Sequence, residues 1–252
     1  MIMNNTENLK AETLKKLRSS KAVFVPMSGC TRMPYVICDP QTFDDEILLF
    51  FTEEDAKKVA QELKEAGNLM QVIKVDQASL LEFYSSLYPM GVNCILVNKG
   101  LEDELAVQLE ELIRRLDEDK LPDGKIRVEN PELHLTAIYF LQGMRSGKNK
   151  EMEEELKALH EEMVTHFKEG RYIVAIQEGK GVPILKQKDG KAYQPVFTDI
   201  QEFKKFQNLN KGVVLKTAII EATKLSETIP PEVEGVVVNP FGVNLQLQMK
   251  RA

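Results

Sequence analysis

The stretch that decides the fold occurs twice, once in each half of the chain. Residues 48–59 read LLFFTEEDAKKV, and residues 194–206 read QPVFTDIQEFKKF. Both stretches begin with apolar residues, reach Phe-Thr, add an acidic residue and continue into a run that contains Lys-Lys. The pattern predicts a buried strand that leads into an amphipathic helix, and it recurs after about 145 residues.

Both helices have a predicted N-cap. Thr52 and Thr198 precede the helical runs, and a threonine hydroxyl can accept a hydrogen bond from an amide of the first turn. Three residues further on lie Asp55 and Gln201, which complete a capping box, Gln201 in its usual form and Asp55 in a looser one. We therefore predict that the two helices begin after Thr52 and Thr198.

The spacing of the apolar residues predicts which face of each helix is buried. In the first copy this face contains Ala56, Val59, Ala60 and Leu63. In the second copy, which is shorter, it contains Ile200, Phe203 and Phe206. Gly67 and Gly212 stand where the two helices are predicted to end.

Predicted strands surround both junctions in the same order. In the first copy they cover residues 22–27, 33–38, 71–75 and 94–98, and in the second copy residues 172–177, 182–187, 213–218 and 235–239. The strand that leads into each Phe-Thr junction is the third in chain order. A turn joins the second strand to it, Asp39-Pro40 in the first copy and Lys188-Asp189-Gly190 in the second. The first copy also has a predicted short helix that carries Leu80, Phe83, Tyr84 and Leu87.

The two copies are predicted to end differently. The first continues into a helix that aligns Leu105, Leu109, Leu112, Ile113 and Leu116. The second alternates in the manner of a strand, with Val243, Leu245, Leu247 and Met249 on one face.

The region between the copies is predicted to be a helical linker. Residues 117–125 are charged and rich in turn formers, and Asn130-Pro131 begins a helix with Asn as the cap and Pro in the first position. Its buried stripe would contain Leu133, Ala137, Phe140 and Leu141, with Gly143 at its end, although a strand over residues 133–142 is the alternative. A further helix covers residues 151–168. The predicted class is α+β, with copies at residues 1–117 and 151–252 joined by a linker at residues 118–150.

Short motifs in both halves resemble the N-terminal domain of the SseB family, the bacterial enhanced serine sensitivity proteins. They are the strand-to-helix junctions at residues 50–52 (FFT) and 196–198 (VFT), and the closing turns at residues 98–100 (NKG) and 238–242 (VNPFG). The first closing turn lacks the proline. The resemblance implies a small mixed α/β domain with no established reaction. SseB proteins usually pair this domain with a different C-terminal domain, whereas here the second half resembles another N-terminal copy.

The composition excludes several classes of function. A net charge of −6, with both signs dispersed, does not favour nucleic-acid binding, which needs clustered cations. No signal peptide or membrane span is visible in the sequence, and Cys30, Cys38 and Cys94 form neither a disulfide framework nor a zinc motif. We therefore expect a cytoplasmic protein without a membrane or nucleic-acid partner.

No residue pattern indicates catalysis, a metal or a cofactor. His160 is expected on an apolar helix face, and His166 points elsewhere, so the two cannot share a metal ion. The pair Cys30 and Arg32 would need a base before the thiol could act as a nucleophile. The weaker candidates are a third histidine, two adjacent acidic residues and a glycine-rich turn, namely His134, Asp44, Asp45 and Gly179-Lys180-Gly181.

The polar residues of most interest end the closing strands. Asn98 and Asn239 could bind a ligand from a loop, or they could simply stabilise their own turns, since asparagine tolerates a left-handed backbone. Phe241 could be an exposed anchor for a partner, or it could be buried. We expect a non-catalytic binding or adaptor protein that recognises a protein or peptide. The alternatives are a small-molecule binder with a pocket between the copies, and an enzyme with an unrecognised site.

Overall fold

A parallel pair of short, buried strands lies at the centre of each of two units. The computed structural model describes residues 2–116, 120–122, 125–145, 153–187 and 190–249. Unit 1 contains Met1–Leu121 and Gln142–Met152, and unit 2 contains Pro122–Leu141 and Glu153–Ala252. The segment predicted to be a linker is thus divided between the units. The linker turns at residues 117–119 and 123–124, and Lys188-Asp189 of the predicted hairpin, lie outside the described residues.

Unit 1 contains a four-stranded mixed sheet, an antiparallel pair of strands and helices. Its elements are α1 (Ile2–Ser19), β1 (Ala22–Ser28), β2 (Val36–Cys38), β3 (Asp45–Leu49), α2 (Glu53–Glu65), β4 (Met70–Asp76), α3 (Leu80–Leu87), β5 (Cys94–Val97), β6 (Leu105–Gln108) and α4 (Leu109–Leu112). Strand β3 runs parallel to β5 and antiparallel to β2, while β6 pairs antiparallel with β5. Strand β4 pairs with β1, which reaches β3 through a bridge between Phe24 and Phe50.

Unit 2 has the same order of strand pairings. Helix α5 (Pro131–Arg145) begins in it, and its other elements are α6 (Glu153–Glu169), β7 (Arg171–Gln177), β8 (Leu185–Lys186), β9 (Ala192–Phe197), α7 (Ile200–Leu209), β10 (Leu215–Glu221), α8 (Ala222–Thr228), β11 (Gly235–Val238) and β12 (Leu245–Gln248). The order across the sheet is β10-β7-β9-β11-β12, with β8 also paired to β9. As in unit 1, the central pair is parallel and the last pair is antiparallel. The predicted α+β class is confirmed.

Apolar helix faces cover these sheets. In unit 1, Ala56 of α2 is buried with Leu48 and Phe50, and Val59 and Leu63 pack beside them, as the helical spacing predicted. In unit 2, three aromatic rings form the equivalent layer, with the ring centroid of Phe197 5.5 Å from that of Phe203 and 5.2 Å from that of Phe206. The prediction that Ile200 faces inward is wrong, because 49% of it is exposed.

The helix predicted for the first exit begins four residues later than expected. Residues 105–108 form β6 rather than the first part of a helix, and helix α4 is a single turn after it. The second exit is the predicted strand, Leu245–Gln248. Leucines at helical spacing misled the prediction, because a short apolar run fits either structure and pairing with β5 decides between them.

The segment of undecided structure, residues 133–142, is helical. Helix α5 begins at Pro131 as predicted and continues to Arg145, past the predicted end at Gly143. The side-chain amide of Asn130 donates to the carbonyl oxygens of Arg171 and Thr198, and its oxygen accepts from the Arg171 N–H. Asn130 therefore attaches the start of α5 to the backbone of unit 2.

One of the two predicted helix caps is displaced by a residue. Thr52 caps α2, because its hydroxyl accepts from the Asp55 N–H at 3.2 Å. Asp199, not Thr198, caps α7, because its carboxylate accepts from the N–H groups of Gln201 and Glu202 at 2.8 and 3.0 Å. Both residue types are good N-caps, so local sequence did not distinguish them. Gly67 ends α2 with a φ of +95°, whereas α7 ends at Leu209, before Gly212.

Replacing Asp199 by alanine is expected to lower the free energy of unfolding by about 1–2 kcal/mol, because two amides of the first turn lose their acceptor. Asp199→Asn keeps an acceptor and should lose less than half as much. Urea unfolding followed by circular dichroism measures both. Equal losses for the alanine and asparagine variants would show that Asp199 does not act as the cap.

Candidate functional site

Asn239 holds the start of α7 against the end of β11. Its backbone is left-handed, with a φ of +48°, and the residue is fully buried. The side-chain oxygen accepts from the Thr198 N–H at 3.0 Å, and the side-chain nitrogen donates to the Thr198 hydroxyl at 2.8 Å. The Asn239 N–H donates to the Val196 carbonyl at 3.0 Å. One residue therefore connects the ends of both central strands.

Asn98 makes the corresponding connection in unit 1. Its φ is +52°, its side-chain oxygen accepts from the Phe51 N–H at 3.4 Å, and its N–H donates to the Leu49 carbonyl at 2.9 Å. The side-chain nitrogen donates to Asp103 at 2.9 Å. Both asparagines are buried and bonded to their own junctions, which favours the structural alternative over a ligand contact for these two residues.

Phe241 packs on the core of unit 2. The residue is half-buried, and its ring centroid lies 6.0 Å from that of Phe206. Its neighbour Gly242 is buried against Glu202, where an added Cβ atom would come within 2.7 Å of a carboxylate oxygen. The closing turn of unit 2 is therefore tightly packed.

Asn239→Ala is expected to lower the free energy of unfolding by about 2–4 kcal/mol, because a buried amide and hydroxyl lose their partners. Asn244 is the matched control. It is exposed and has a similar φ of +51°, so Asn244→Ala should cost only about 1 kcal/mol, from the left-handed backbone. Chemical denaturation gives both values, and equal losses would assign the effect to the backbone alone.

The residues considered for catalysis are divided between the two units. Cys30 and Asp45 belong to unit 1, while the three histidines belong to unit 2. His134 is buried, His166 lies 3.3 Å from Glu162, and His160 is exposed rather than on a buried face. Among the described residues, no group of three His, Cys, Asp or Glu side chains is arranged to hold a metal ion.

Polar side chains in unit 1 gather where β3 and β5 begin. Asp44 accepts from the side-chain amides of Asn93 at 2.6 Å and Gln108 at 2.8 Å, so the acidic run is bonded locally. Glu46 is buried and accepts from the Cys94 thiol at 3.4 Å. Burial raises the pKa of Glu46 above its ordinary value, and the bond from Cys94 offsets this only in part.

This raised pKa predicts a pH-dependent effect of Glu46→Gln. Native Glu46 holds its proton to a higher pH than the unfolded chain, so its contribution to stability is lost as pH rises from about 4.5 through the raised pKa. The gain in free energy of unfolding from Glu46→Gln should therefore increase across this window and then level off. Urea unfolding at pH 4 to 7 measures it, with Glu54→Gln on the surface of α2 as the control. A gain that shrinks with rising pH would contradict the prediction.

An apolar groove is the feature that the sequence analysis missed. It lies within unit 2, encloses about 510 Å³, and is bounded by α6, the start of α8 and strand β12. The residues that line it are His160, Val164, Phe167, Lys168, Ala222, Thr223, Gln246, Leu247, Gln248 and Met249. No acidic residue is among these.

The groove follows the open edge of the sheet. Four consecutive residues, 246–249, line it, although successive side chains of a strand point to opposite faces. A groove on one face would be lined by every second residue. Strand β12 pairs only with β11 among the described strands, so this groove runs beside the last strand of the sheet.

Part of this site was visible as a pattern. The positions 160, 164, 167 and 168 share one helix face, and the alternation of residues 243–249 predicted the strand. Nothing in either pattern indicates that the space between the helix and the strand is open, since both read as ordinary core-facing elements.

One region of the chain matches a known protein family. Residues 151–251 match the SseB protein N-terminal domain. The match covers the second predicted copy and does not extend to residues 1–150. No curated protein matches the sequence.

Two solved structures are similar over most of their length. One is Tic22 from Plasmodium falciparum, at 15% identity and a TM-score of 0.22, covering 89% of this chain and 90% of that chain. The other is Anabaena Tic22 (protein transport), at 12% identity and a TM-score of 0.23, covering 90% and 92%. Within the described residues, no helix combines the length and apolar character that crossing a bilayer requires.

Proposed function

We propose that this chain is a non-catalytic, SseB-like binding protein of the cytoplasm, which recognises a segment of another protein. The groove of unit 2 is the observation that carries the proposal. Half-buried side chains of Val164, Leu247 and Met249 remain accessible there, next to the edge of a sheet. Apolar surface beside a strand edge is a recurring way to bind peptide segments.

The proposal includes a duplication of one domain. Both units have a parallel central pair, an antiparallel last strand, and an asparagine that accepts from a backbone amide at the exit of the third strand. That amide belongs to Phe51 in unit 1 and to Thr198 in unit 2, so Thr52 corresponds to Asp199. With this register the two helix caps are equivalent, whereas the alignment of the two Phe-Thr pairs would separate them.

A binding role agrees better than catalysis with the chemistry of the groove. Its polar members are two glutamines, a threonine, a lysine and a histidine, and none of the lining residues carries a carboxylate or a thiol. Catalysis by acid–base or nucleophilic steps needs such a partner within hydrogen-bonding distance. Recognition needs only shape, apolar contact and charge.

A small apolar ligand is the second candidate, because about 510 Å³ lies within the range of small-molecule sites. The two candidates differ in the length of surface that they use. A small ligand would be enclosed by α6 and α8, whereas a peptide would also contact the strand along residues 246–249. On binding, exchange protection of those strand amides that do not already donate to β11 or its neighbours therefore distinguishes a peptide from a small ligand.

A displayed library of random peptides tests the function. Selection on the full chain should yield peptides whose affinity falls at least tenfold on Val164→Asp, because the charge would enter the apolar wall of the groove. Thr165→Asp, one residue away and exposed, is the matched control and should leave affinity within about twofold of wild type.

Circular dichroism and thermal unfolding of both variants separate loss of binding from loss of folding. If Val164→Asp unfolds the chain, Leu247→Glu at the opposite wall replaces it. Peptides that bind all variants equally, or a library that yields no binder, would contradict a peptide-binding function for this groove.

A further inference from the structure

We infer that strand β10 of unit 2 pairs with β10 of a second copy of this chain, antiparallel and about a twofold axis at Ala218. Strand β10 lies at the opposite end of the sheet from β12 and the groove. Among the described strands it pairs only with β7, so its other side is a free edge. The partner is therefore the chain itself, and the contact does not involve the groove.

Alternate residues of β10 turn their backbone groups away from the sheet. The Ala222 N–H donates to the Gly170 carbonyl at 3.0 Å, directly after the pair of Glu221 and Arg171 in the register with β7. Hydrogen-bonded pairs alternate with non-bonded pairs along an antiparallel ladder, so the even-numbered residues of β10 bond to β7. The odd-numbered residues therefore point their N–H and C=O groups outward, and these residues are Leu215, Thr217, Ile219 and Glu221.

The corresponding edge of unit 1, strand β4, carries a charge where β10 carries an isoleucine. In the neighbouring strands Phe24 and Ile173 are equivalent, because each pairs with the residue before the amide that an asparagine holds. Phe24 lies opposite Lys74 of β4, and Ile173 lies opposite Ile219 of β10. Lys74 also forms an ion pair with Asp76 at 2.6 Å. Lysine on an edge strand prevents pairing with another chain, whereas an apolar residue there promotes it.

Helix α7 leaves the middle of β10 accessible. It is 10 residues long, against 13 for α2. In unit 1, Val72 of β4 joins the apolar layer under α2. In unit 2, Leu215 joins the layer under α7, while Ile219 is 45% exposed and Val214, just before the strand, is 81% exposed. The apolar side chains of this edge are thus available to a partner strand.

The strand matches itself about its central residue. With the axis at Ala218, Thr217 lies opposite Ile219 of the second copy, and Leu215 lies opposite Glu221 of the second copy. Each outward-pointing residue is then in a hydrogen-bonded pair, and a register shifted by two residues would leave one of them outside the strand pair. Thr217 and Ile219 are both β-branched and form favourable cross-strand neighbours. A twofold contact of this kind closes with two copies and does not propagate.

The charges near the ends of β10 are compatible with this register. Lys216 forms an ion pair with Glu178 at 3.2 Å, and Lys224 forms one with Glu221 at 3.8 Å. With the axis at Ala218, the first ion pair of one copy lies next to the second ion pair of the other. The two ion pairs bring no net charge to the contact, and no like charges stand directly opposite each other.

Thr217→Pro tests the pairing through the backbone. Proline removes an N–H that points outward, so the bonds to β7 remain and only the second copy loses a donor. Sedimentation velocity of the full chain should show a reversible monomer–dimer equilibrium, which is weak because one strand pair buries little surface. Thr217→Pro should raise the dissociation constant by about tenfold or more. Thr217→Val keeps the N–H, is the matched control, and should change it by less than about threefold.

Ile219→Lys tests the pairing through a side chain. It gives β10 the residue type that β4 has at this position, and it should also raise the dissociation constant by about tenfold or more. Because Ile219 is partly exposed, this variant remains informative if Thr217→Pro unfolds the chain. Circular dichroism and urea unfolding establish which variants are folded.

Cysteine substitution tests the register. Ala218 would face Ala218 of the second copy in a non-hydrogen-bonded pair, where Cα atoms lie about 4.5 Å apart and a disulfide can form. In a chain that carries Cys30→Ser and Cys38→Ser, Ala218→Cys should give a crosslinked dimer on oxidation with copper phenanthroline. Thr217→Cys is more exposed but would not face itself, so it should crosslink about tenfold more slowly.

Three results would overturn the inference. One is a chain that stays monomeric at every concentration up to about 1 mM. Another is a dimer that folded Thr217→Pro and Ile219→Lys variants leave intact, since its contact would lie elsewhere. The third is crosslinking that is faster for Thr217→Cys than for Ala218→Cys, which would contradict the twofold axis at Ala218.

Discussion

The bond on which each unit depends joins an asparagine side chain to a backbone amide at the exit of the third strand. Two parallel strands leave their carboxyl ends side by side, and the amide at this exit has no ladder partner of its own. Asn98 accepts from Phe51, and Asn239 accepts from Thr198. Because each asparagine also adopts a left-handed backbone, the chain turns away from the sheet while its side chain points back across it. A buried amide left without an acceptor would cost more than most surface interactions contribute.

That constraint determines where the helix begins and what lies under it. In unit 2 the amide of Thr198 is held by Asn239, so the next residue, Asp199, is placed to cap α7. Helix α7 then sets Phe203 and Phe206 against Phe197 of the strand below. In unit 1 the equivalent steps lead from Phe51 through Thr52 to the smaller residues Ala56 and Ala60. The same strand-to-helix junction thus has an aromatic layer beneath its helix in unit 2 and an aliphatic layer in unit 1.

Much of this arrangement could be predicted from the sequence, and the errors have physical causes. The recurrence of the strand-to-helix stretch predicted two similar halves, and the glycine and asparagine positions predicted the turns. The cap of α7 was displaced by one residue because Thr198 and Asp199 both have oxygens suited to capping, and only the bond from Asn239 to Thr198 distinguishes them. Strand β6 was taken for a helix because Leu105 and Leu109 have helical spacing, while pairing with β5 is a long-range contact.

The candidate site was least predictable, since an open groove is not a property of the residues that line it. Leu247 reads as a core residue in sequence because it alternates with Leu245, yet it is half-buried and lines the groove. The proposed binding function depends on this accessible apolar surface beside the last strand of the sheet.

The most direct test is to locate a bound peptide by nuclear magnetic resonance. With methyl-labelled full chain and an unlabelled peptide selected from the library, intermolecular nuclear Overhauser effects should connect the peptide to the methyls of Val164, Leu247 and Met249. Effects that instead reach only other surfaces, or a free protein in which Met249 contacts Val164 and closes the groove, would contradict the assignment of this place as the binding site.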